Sequence, residues 1–327
     1  MRSRPVRISA TLLVSSLAIA YIVYKIDLRK TLDILGDASV PWVIASAVLT
    51  LVTVPPMAWR WQKLLAVRGL HEGVGWLTRT YFVSYAWGQI LPTSVGGDAS
   101  RIFETSRRHP GQITPITGSV LLERALGGAV TLLLAGIGFL LAIGRYSIGA
   151  YVWPEVIFVI GAIVAGVVFF SRTVRRRMTF LVPLVRRVRL EKPARAVYEG
   201  IHGYRDHPGT LLFVSSVTVV LQLTRILAIY ASGRAVGIHL PLLPYVVLGP
   251  LLFLVMLVPF TVNGLGVREA FFVSFLGNLG VDPDTAFACG FLFFVMTIIL
   301  AAPGLAIILW EQVFDKRARA PVPTRSA

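Results

Sequence analysis

Apolar residues follow one another in long blocks along this chain, and short polar or basic segments separate the blocks. A transmembrane helix needs roughly 20 apolar residues. Six blocks are long enough, and they cover about residues 8–24, 41–59, 116–143, 152–170, 210–231 and 284–311. The pattern predicts an all-α polytopic membrane protein, and we expect no soluble domain.

Polar features border the second block on both sides. Residues 27–39 are charged and mildly amphipathic, which predicts a short helix at the membrane interface. Pro55 and Pro56 predict a kink inside the block. The block ends in aromatic and basic residues that are typical of a membrane boundary: Trp59, Arg60, Trp61 and Lys63.

Two further apolar segments, residues 74–106 and 241–280, are interrupted by similar motifs. The first contains LPTSVGGDASR and the second contains VPFTVNGLGVR. An offset of 167 residues aligns four identical pairs: Pro92 with Pro259, Val95 with Val262, Gly97 with Gly264, and Arg101 with Arg268. The motif therefore predicts a helix interruption at matched points in the two halves of the chain.

The net charge of +16 is concentrated beside the apolar blocks. Ten Lys and Arg residues lie in residues 171–209, three in the first seven residues and four after Gln312. Such clusters mark cytoplasmic segments and attract anionic lipids. Six spans then place both termini and residues 171–209 on the cytoplasmic side of the inner membrane. The first interrupted segment would enter from the cytoplasm and the second from outside.

Two interpretations of the fold follow. In the first, about six full transmembrane helices accompany two re-entrant helical hairpins in an inverted repeat. In the second, the chain has eight ordinary spans with two kinks. Either interpretation gives one transmembrane domain, residues 1–312, with halves of about 1–170 and 210–312. Residues 313–327 form a basic cytoplasmic tail without predicted structure.

The residue types present exclude several kinds of site. The single cysteine, Cys289, allows no disulfide within the chain. The histidines lack metal-ligand spacing, and no carboxylate cluster suits a divalent metal. The sequence contains no P-loop, nucleophile elbow or complete dinucleotide motif. The basic segments lack a nucleic-acid recognition motif. We therefore expect no metal, no cofactor, no catalytic residues and no nucleic-acid partner.

Seven ionisable residues lie within the predicted membrane region: Asp98, Arg101, Glu123, Arg124, Arg225, Arg268 and Glu269. A charge at the centre of a membrane helix costs about 2.5–3.5 kcal/mol, so each needs a structural or functional reason. Glu123 and Arg124 point about 100° apart on a helix, so they cannot pair tightly with each other, and we expect each to reach a group on another helix. Arg225 and Arg268 favour a functional role, whereas structural pairing explains Asp98, Glu123 and Arg124 equally well.

Glycines at the two interruptions allow close approach of the backbone: Gly96, Gly97, Gly264 and Gly266. Free N–H groups at a helix break beside an arginine suit an anion such as phosphate. Asp98 and Glu269 are each placed to cap a half-helix N-terminus. The pattern predicts a ligand that carries phosphate.

The chain resembles the flippase-like transmembrane family that is related to the membrane part of lysylphosphatidylglycerol synthases, also called UPF0104. The resemblance covers nearly all of residues 8–312, and three stretches carry it: LPTSVGGDASRIFETSR, GSVLLERALG and VPFTVNGLGVREAFFVSFLGNLGV. It implies a polytopic helical lipid transporter. It also implies a substrate-site role for Gly97, Arg101, Glu123, Arg124, Gly264, Arg268 and Glu269. Arg225 joins this set through its position in the membrane alone.

The synthases continue into a soluble aminoacyl-transferase domain, and this sequence ends in a short basic tail instead. We therefore do not expect it to make a lysyl-lipid. The leading expectation is a flippase, without enzymatic activity, for an anionic phosphate-bearing lipid. The alternatives are a lipid-modifying membrane enzyme and a membrane partner of a separate glycosyl- or aminoacyl-transferase.

Overall fold

The computed structural model describes residues 27–90, 96–142, 203–256 and 266–318. These residues form helices joined by short turns. The helices are α1 (Leu28–Gly36), α2 (Val40–Leu51), α3 (Val54–Val67), α4 (Val74–Ile90), α5 (Gly96–Arg108), α6 (Ile113–Ala142), α7 (Pro208–Ala235), α8 (Leu242–Met256), α9 (Val267–Gly277) and α10 (Pro283–Ala318). The spans predicted at residues 8–24 and 152–170 lie outside the described residues.

Four stretches are long and apolar enough to cross a membrane: α2 with α3, then α6, α7 and α10. They correspond to the second, third, fifth and sixth predicted spans. Together they define a polytopic helical membrane protein, because a helix satisfies its own backbone hydrogen bonds in lipid. α10 continues to Ala318, so its last turns extend into the predicted tail.

The predicted interruption of the second span is present two residues before the prolines. α2 ends at Leu51, and α3 begins at Val54 with Pro55 in its first turn. Proline is tolerated there because a first-turn N–H has no partner within the helix. α3 then continues to Val67, beyond the expected end of the span.

One end of the helix bundle is defined by contacts around Asp284. The backbone N–H of Asp27 donates to Asp284 Oδ1 at 2.7 Å, so α1 lies beside the start of α10. The N–H of Ser39 donates to the carbonyl oxygen of Ala235 at 2.8 Å, so α2 begins where α7 ends. We call this the Asp284 end.

The opposite end is defined by contacts around Glu72. Arg108 Nε and His109 Nε2 approach Glu72 Oε1 at 3.2 Å and 3.0 Å. The hydroxyl of Tyr204 donates to the carbonyl oxygen of Leu64 at 3.0 Å, so α7 begins beside the last turn of α3. We call this the Glu72 end.

α4 and α5 form an antiparallel pair that opens at the Glu72 end, which means that the start of α4 and the end of α5 both lie there. Glu72 precedes α4, whereas Arg108 and His109 end or follow α5, and all three are in contact. Residues 91–95 between the two helices lie outside the described residues. The pair therefore starts and finishes at the same end of the bundle.

α8 and α9 occupy the corresponding place at the Asp284 end. α8 begins seven residues after α7 ends at Ala235, and α9 ends six residues before α10 begins at Pro283. α8 packs on α6 and α7, and α9 packs on α8 and α10. The two interrupted pairs therefore open at opposite ends of the bundle.

Candidate functional site

A buried ionic cluster lies where α3, α4, α5 and α6 meet, with Glu123 at its centre. The Glu123 carboxylate accepts a hydrogen bond from Arg60 Nη2. It also accepts one from Tyr81 Oη at 2.6 Å and one from Arg101 Nη1 at 2.7 Å. All four side chains are buried. Three helices thus direct donors at one carboxylate on a fourth.

Arg60 extends the cluster to α7. Its Nη1 donates to Thr218 Oγ1 at 2.7 Å. Within the described residues, its buried Nε–H has no acceptor. A buried guanidinium that loses its carboxylate leaves an uncompensated charge, which costs about 3–5 kcal/mol. Arg60 and Glu123 therefore depend on each other.

Arg101 is held by aromatic rings as well as by carboxylates. Its Cζ lies 4.8 Å from the ring centroids of both Trp61 and Tyr81. Its Nε donates to Asp98 Oδ1 at 3.0 Å, one turn earlier on α5. Asp98 also pairs with Arg124. Such multiple contacts keep the planar guanidinium in one orientation.

The geometry of each helix explains this arrangement. Asp98 and Arg101 are three residues apart, so they share one face of α5. Glu123 and Arg124 diverge on α6, and the prediction that each reaches a group on another helix is confirmed, because Arg101 and Asp98 on α5 are their respective partners. Three arginines face two carboxylates, so these five groups sum to one positive charge.

The cluster lies well inside the bundle. Arg101 is seven residues before Arg108, which is about 10 Å from the Glu72 end along α5. Glu123 is ten residues into α6, or about 15 Å from that end. A position this far from the end is too deep for the side chains to snorkel freely to an interface.

A second buried ionic pair lies at the start of α9. Arg268 Nε donates to Glu269 Oε1 at 2.9 Å, and both side chains are buried. Glu269 Oε2 accepts from the N–H of Gly266 at 2.7 Å, so the predicted N-terminal capping by Glu269 is confirmed. Gly266 has a φ of 83°, a left-handed conformation that favours glycine.

The two interrupted pairs reach the same turn of α10. Gln89, in the last turn of α4, donates from Nε2 to the carbonyl oxygen of Thr297 at 3.2 Å. Arg268, in the first turn of α9, lies with Cζ 4.6 Å from the ring centroid of Phe294. Phe294 and Thr297 are three residues apart, near the middle of the Pro283–Val313 span. The two helix pairs thus enter the bundle from opposite ends and reach the same depth along α10.

Along the bundle, Arg225 on α7 lies between the depth of the first cluster and the depth of the Phe294–Thr297 turn of α10. Its Nη2 approaches the thioether sulfur of Met57 at 3.6 Å, and the hydroxyl of Tyr85 donates to the same sulfur at 3.2 Å. Within the described residues, Arg225 has no carboxylate partner. A thioether is only a weak hydrogen-bond acceptor.

The predicted site residues therefore fall into separate groups. Arg101, Glu123 and Arg124 belong to the first cluster, and Arg268 and Glu269 form the second. Among the described residues, Arg101 and Arg268 share no hydrogen-bonding partner. Gly264 lies outside the described residues.

Gly97 has a packing contact in this structure. Ser84 Oγ donates to its carbonyl oxygen at 2.7 Å. A Cβ on Gly97 would lie 2.6 Å from the carbonyl oxygen of Ser84, which is too close for any other residue. The glycine thus lets α5 approach α4 closely.

Sequence reasoning missed Arg60, Trp61 and Tyr81. The prediction that Arg60 and Trp61 mark a membrane boundary is wrong, because both are buried and α3 continues to Val67. The apolar pair Leu64 and Leu65 beyond them was an available signal. Tyr81 had no such signal, because its role depends on contacts with other helices.

Buried ionic clusters on interrupted helices, inside a bundle of long apolar helices, define a polytopic membrane protein with an internal polar site. Comparison with known proteins agrees with this class of protein and identifies the family within it. Residues 8–304 match the model of the lysylphosphatidylglycerol synthase TM region. The chain belongs to this family.

Two curated proteins are similar to this chain, one over nearly its whole length and one over part of it. A UPF0104 membrane protein of Methanothermobacter thermautotrophicus is 20% identical over 329 residues, which cover 93% of this chain and 97% of the relative. Glycosyltransferase AglD of Haloferax volcanii is 30% identical over 147 residues, which cover 45% of this chain. That match spans only 23% of the length of AglD.

Proposed function

We propose that this protein moves a lipid with a phosphate-bearing headgroup between the leaflets of the membrane. One observation carries the proposal: two interrupted helix pairs reach the same turn near the middle of α10, and each brings a buried arginine. Transporters built from inverted repeats place their substrate sites at such breaks near the midplane. The family assignment to a lipid synthase membrane region supports a lipid substrate.

In this proposal the two pairs are re-entrant hairpins. α5 has 13 residues and α9 has 11. At 1.5 Å per residue their lengths are about 20 Å and 16 Å, short of the roughly 30 Å hydrocarbon core. The pairs open at opposite ends of the bundle, as an inverted repeat requires. We place the Glu72 end in the cytoplasm, because Arg107 and Arg108 are exposed there.

The first cluster supplies chemistry suited to phosphate. Arg60 and Arg101 present planar, permanently charged guanidiniums, which bind phosphate oxygens through paired hydrogen bonds. Glu123 and Asp98 hold these arginines in place when no headgroup is bound. The excess positive charge of the cluster attracts an anion, while the lipid tails stay in the bilayer. In this proposal the protein is a transporter, and the residues position a headgroup without changing it.

Reconstitution tests the proposal directly. Purified protein is placed in liposomes containing phosphatidylglycerol with a fluorescent tail, and an impermeant quencher reports arrival in the outer leaflet. We expect Arg101→Gln and Arg268→Gln to slow movement at least tenfold, because a charge-assisted hydrogen bond contributes about 1.5–3 kcal/mol. Arg107→Gln is the matched control, since Arg107 is exposed on the same helix as Arg101.

A phosphate-free glycolipid with the same fluorescent tail tests the headgroup assignment. We expect the protein to leave its movement unchanged. Equal rates for the wild type and Arg268→Gln would refute the site, and equal acceleration of both lipids would refute the phosphate specificity.

A second function is favoured by the match to a glycosyltransferase. The stretch of AglD similar to this chain is less than a quarter of that protein. A region similar to this chain, joined to other sequence in a glycosyltransferase, supports a role for this chain as the membrane partner of a separate transferase. Purification of the tagged chain from native membranes, followed by mass spectrometry, tests this alternative. Recovery of a transferase, with no lipid movement by the chain alone, would favour it over transport.

A further inference from the structure

Two hydrogen-bond donors near the middle of the bundle converge on one weak acceptor. Arg225 Nη2 and Tyr85 Oη approach the Met57 sulfur at 3.6 Å and 3.2 Å. Thioether sulfur accepts hydrogen bonds poorly, and an inadequately paired charge inside a protein is costly. The described residues thus leave both donors without a strong acceptor.

Arg225 faces the interior of the bundle. Thr218 and Ser232 are each seven residues away on α7, so all three share one helix face. Thr218 accepts from Arg60, and Ser232 Oγ lies 2.9 Å from Ser46 Oγ, so that face points inward. Arg225 nevertheless keeps some of its surface exposed. Its neighbours therefore do not cover Arg225 completely.

α4 places three polar side chains at successive levels of the bundle. Tyr81 lies at the level of Arg101, with which it shares a hydrogen bond. Tyr85 lies at the level of Arg225, because both approach the sulfur of Met57. Gln89 lies within one turn of the level of Arg268, as measured along α10. Tyr81, Tyr85 and Gln89 are spaced four residues apart, so consecutive levels are about 6 Å apart.

We propose that Arg225 and Tyr85 form a middle binding site for the phosphate of the headgroup, between the levels of Arg101 and Arg268. This inference rests on the proposed transport function. The phosphate replaces the Met57 sulfur as the acceptor for both donors. One face of α4 then forms a polar path on which the headgroup crosses the middle of the membrane without losing all its hydrogen bonds.

The spacing of the arginines supports this assignment. The levels of Arg101 and Arg268 are separated by about two turns of α4, or roughly 11–12 Å. A phosphate that crossed this distance without a partner would be an isolated charge in a poorly hydrated interior, which is very costly. A guanidinium at the intermediate level removes that barrier. Because a side chain reaches several ångströms, steps of about 6 Å allow one arginine to release the phosphate as the next binds it.

The test uses four variants in liposomes that contain phosphatidylglycerol with a fluorescent tail. Tyr85→Phe removes one oxygen and keeps the ring, so it tests the hydroxyl with little change in packing. Arg225→Gln removes the charge, and Arg225→Lys restores it. Arg234→Gln is the matched control, because Arg234 lies in the last turn of the same helix, away from the path. Thermal unfolding in detergent establishes that each variant is folded.

We expect Arg225→Gln to slow lipid movement at least tenfold and Tyr85→Phe to slow it several-fold. Arg225→Lys should recover part of the rate, and Arg234→Gln should match the wild type. A purely structural role for Arg225 would lower the unfolding temperature of Arg225→Gln, and Arg225→Lys would not restore transport.

Each other outcome has a distinct meaning. If Arg225→Gln and Tyr85→Phe match the wild type, the middle site is refuted and the transport function stands. Equal slowing by Arg234→Gln would also overturn the middle site. If the wild type moves no phosphatidylglycerol, both proposals fail. Uptake of radiolabelled inorganic phosphate without lipid movement would show that free phosphate is the ligand, which overturns the assignment to a lipid headgroup.

Discussion

Replacing Glu123 by glutamine tests the first ionic cluster most directly. The change removes the negative charge that faces Arg60 and Arg101 and leaves one oxygen to accept hydrogen bonds. Removing one partner of a buried ion pair costs about 3–5 kcal/mol. With an unfolding entropy of about 2.1 cal/mol/K per residue, a chain of 327 residues loses roughly 1.5 °C per kcal/mol, so we expect a fall of about 4–7 °C in the unfolding temperature.

The measurement is thermal unfolding of the purified protein in detergent, followed by intrinsic fluorescence or light scattering. Glu104→Gln is the matched control. Glu104 pairs with Arg79, and both side chains are 26% exposed. Pairs that retain access to solvent contribute about 0–1 kcal/mol. Equal falls for Glu123→Gln and Glu104→Gln would refute the conclusion that burial makes the Glu123 cluster the stronger interaction.

Gly97→Ala should destabilise the protein by about 1–3 kcal/mol, because the new Cβ would lie 2.6 Å from the Ser84 carbonyl oxygen. Gly88→Ala has no atom within 4 Å of its Cβ and should leave the unfolding temperature equal or higher. The pH dependence of α1 docking gives a third prediction: the partial burial of the largely exposed Asp282 opposes its ionisation, but the hydrogen bond from Lys30 lowers its pKa below the ordinary 3.8. The stabilisation is therefore complete above about pH 5 and is lost as the pH falls through the lowered pKa. Relative to the intrinsic rate at each pH, hydrogen exchange of the α1 amides should accelerate below that pH. Asp282→Asn should reduce the change, because Asp284 still pairs with Lys30.

Much of the helical framework follows from the order of residues along the chain. Apolar blocks of sufficient length predicted the spans now seen as α6, α7 and α10, because lipid offers no partner for backbone groups. Pro55 and Pro56 predicted an interruption of the second span, which the structure places two residues earlier, between α2 and α3. These are local effects, so neighbouring residues were enough to predict them.

The roles of individual charges were harder to predict. Arg60 was assigned to a membrane boundary, although it pairs with Glu123, 63 residues later. The family resemblance implies a substrate-site role for Gly97, and the structure adds a close contact with Ser84 that the sequence did not indicate. In each case the deciding partner lies on another helix, and spacing along one helix carries no information about it.

The sequence by itself determined which segments are helical, where two of them break and that charged residues lie among them. Its hydrophobic pattern and its prolines and glycines act over a few residues, so this information is local. Only the tertiary structure decided that Glu123 joins Arg60 and Arg101, and that Gln89 and Arg268 approach the same turn of α10. The hydrogen bonds among these contacts join residues that are far apart in sequence, from 22 positions for Arg101 and Glu123 to 208 positions for Gln89 and Thr297. The packing of the helices brings them together, because a buried charge is stable only where another helix supplies its partner.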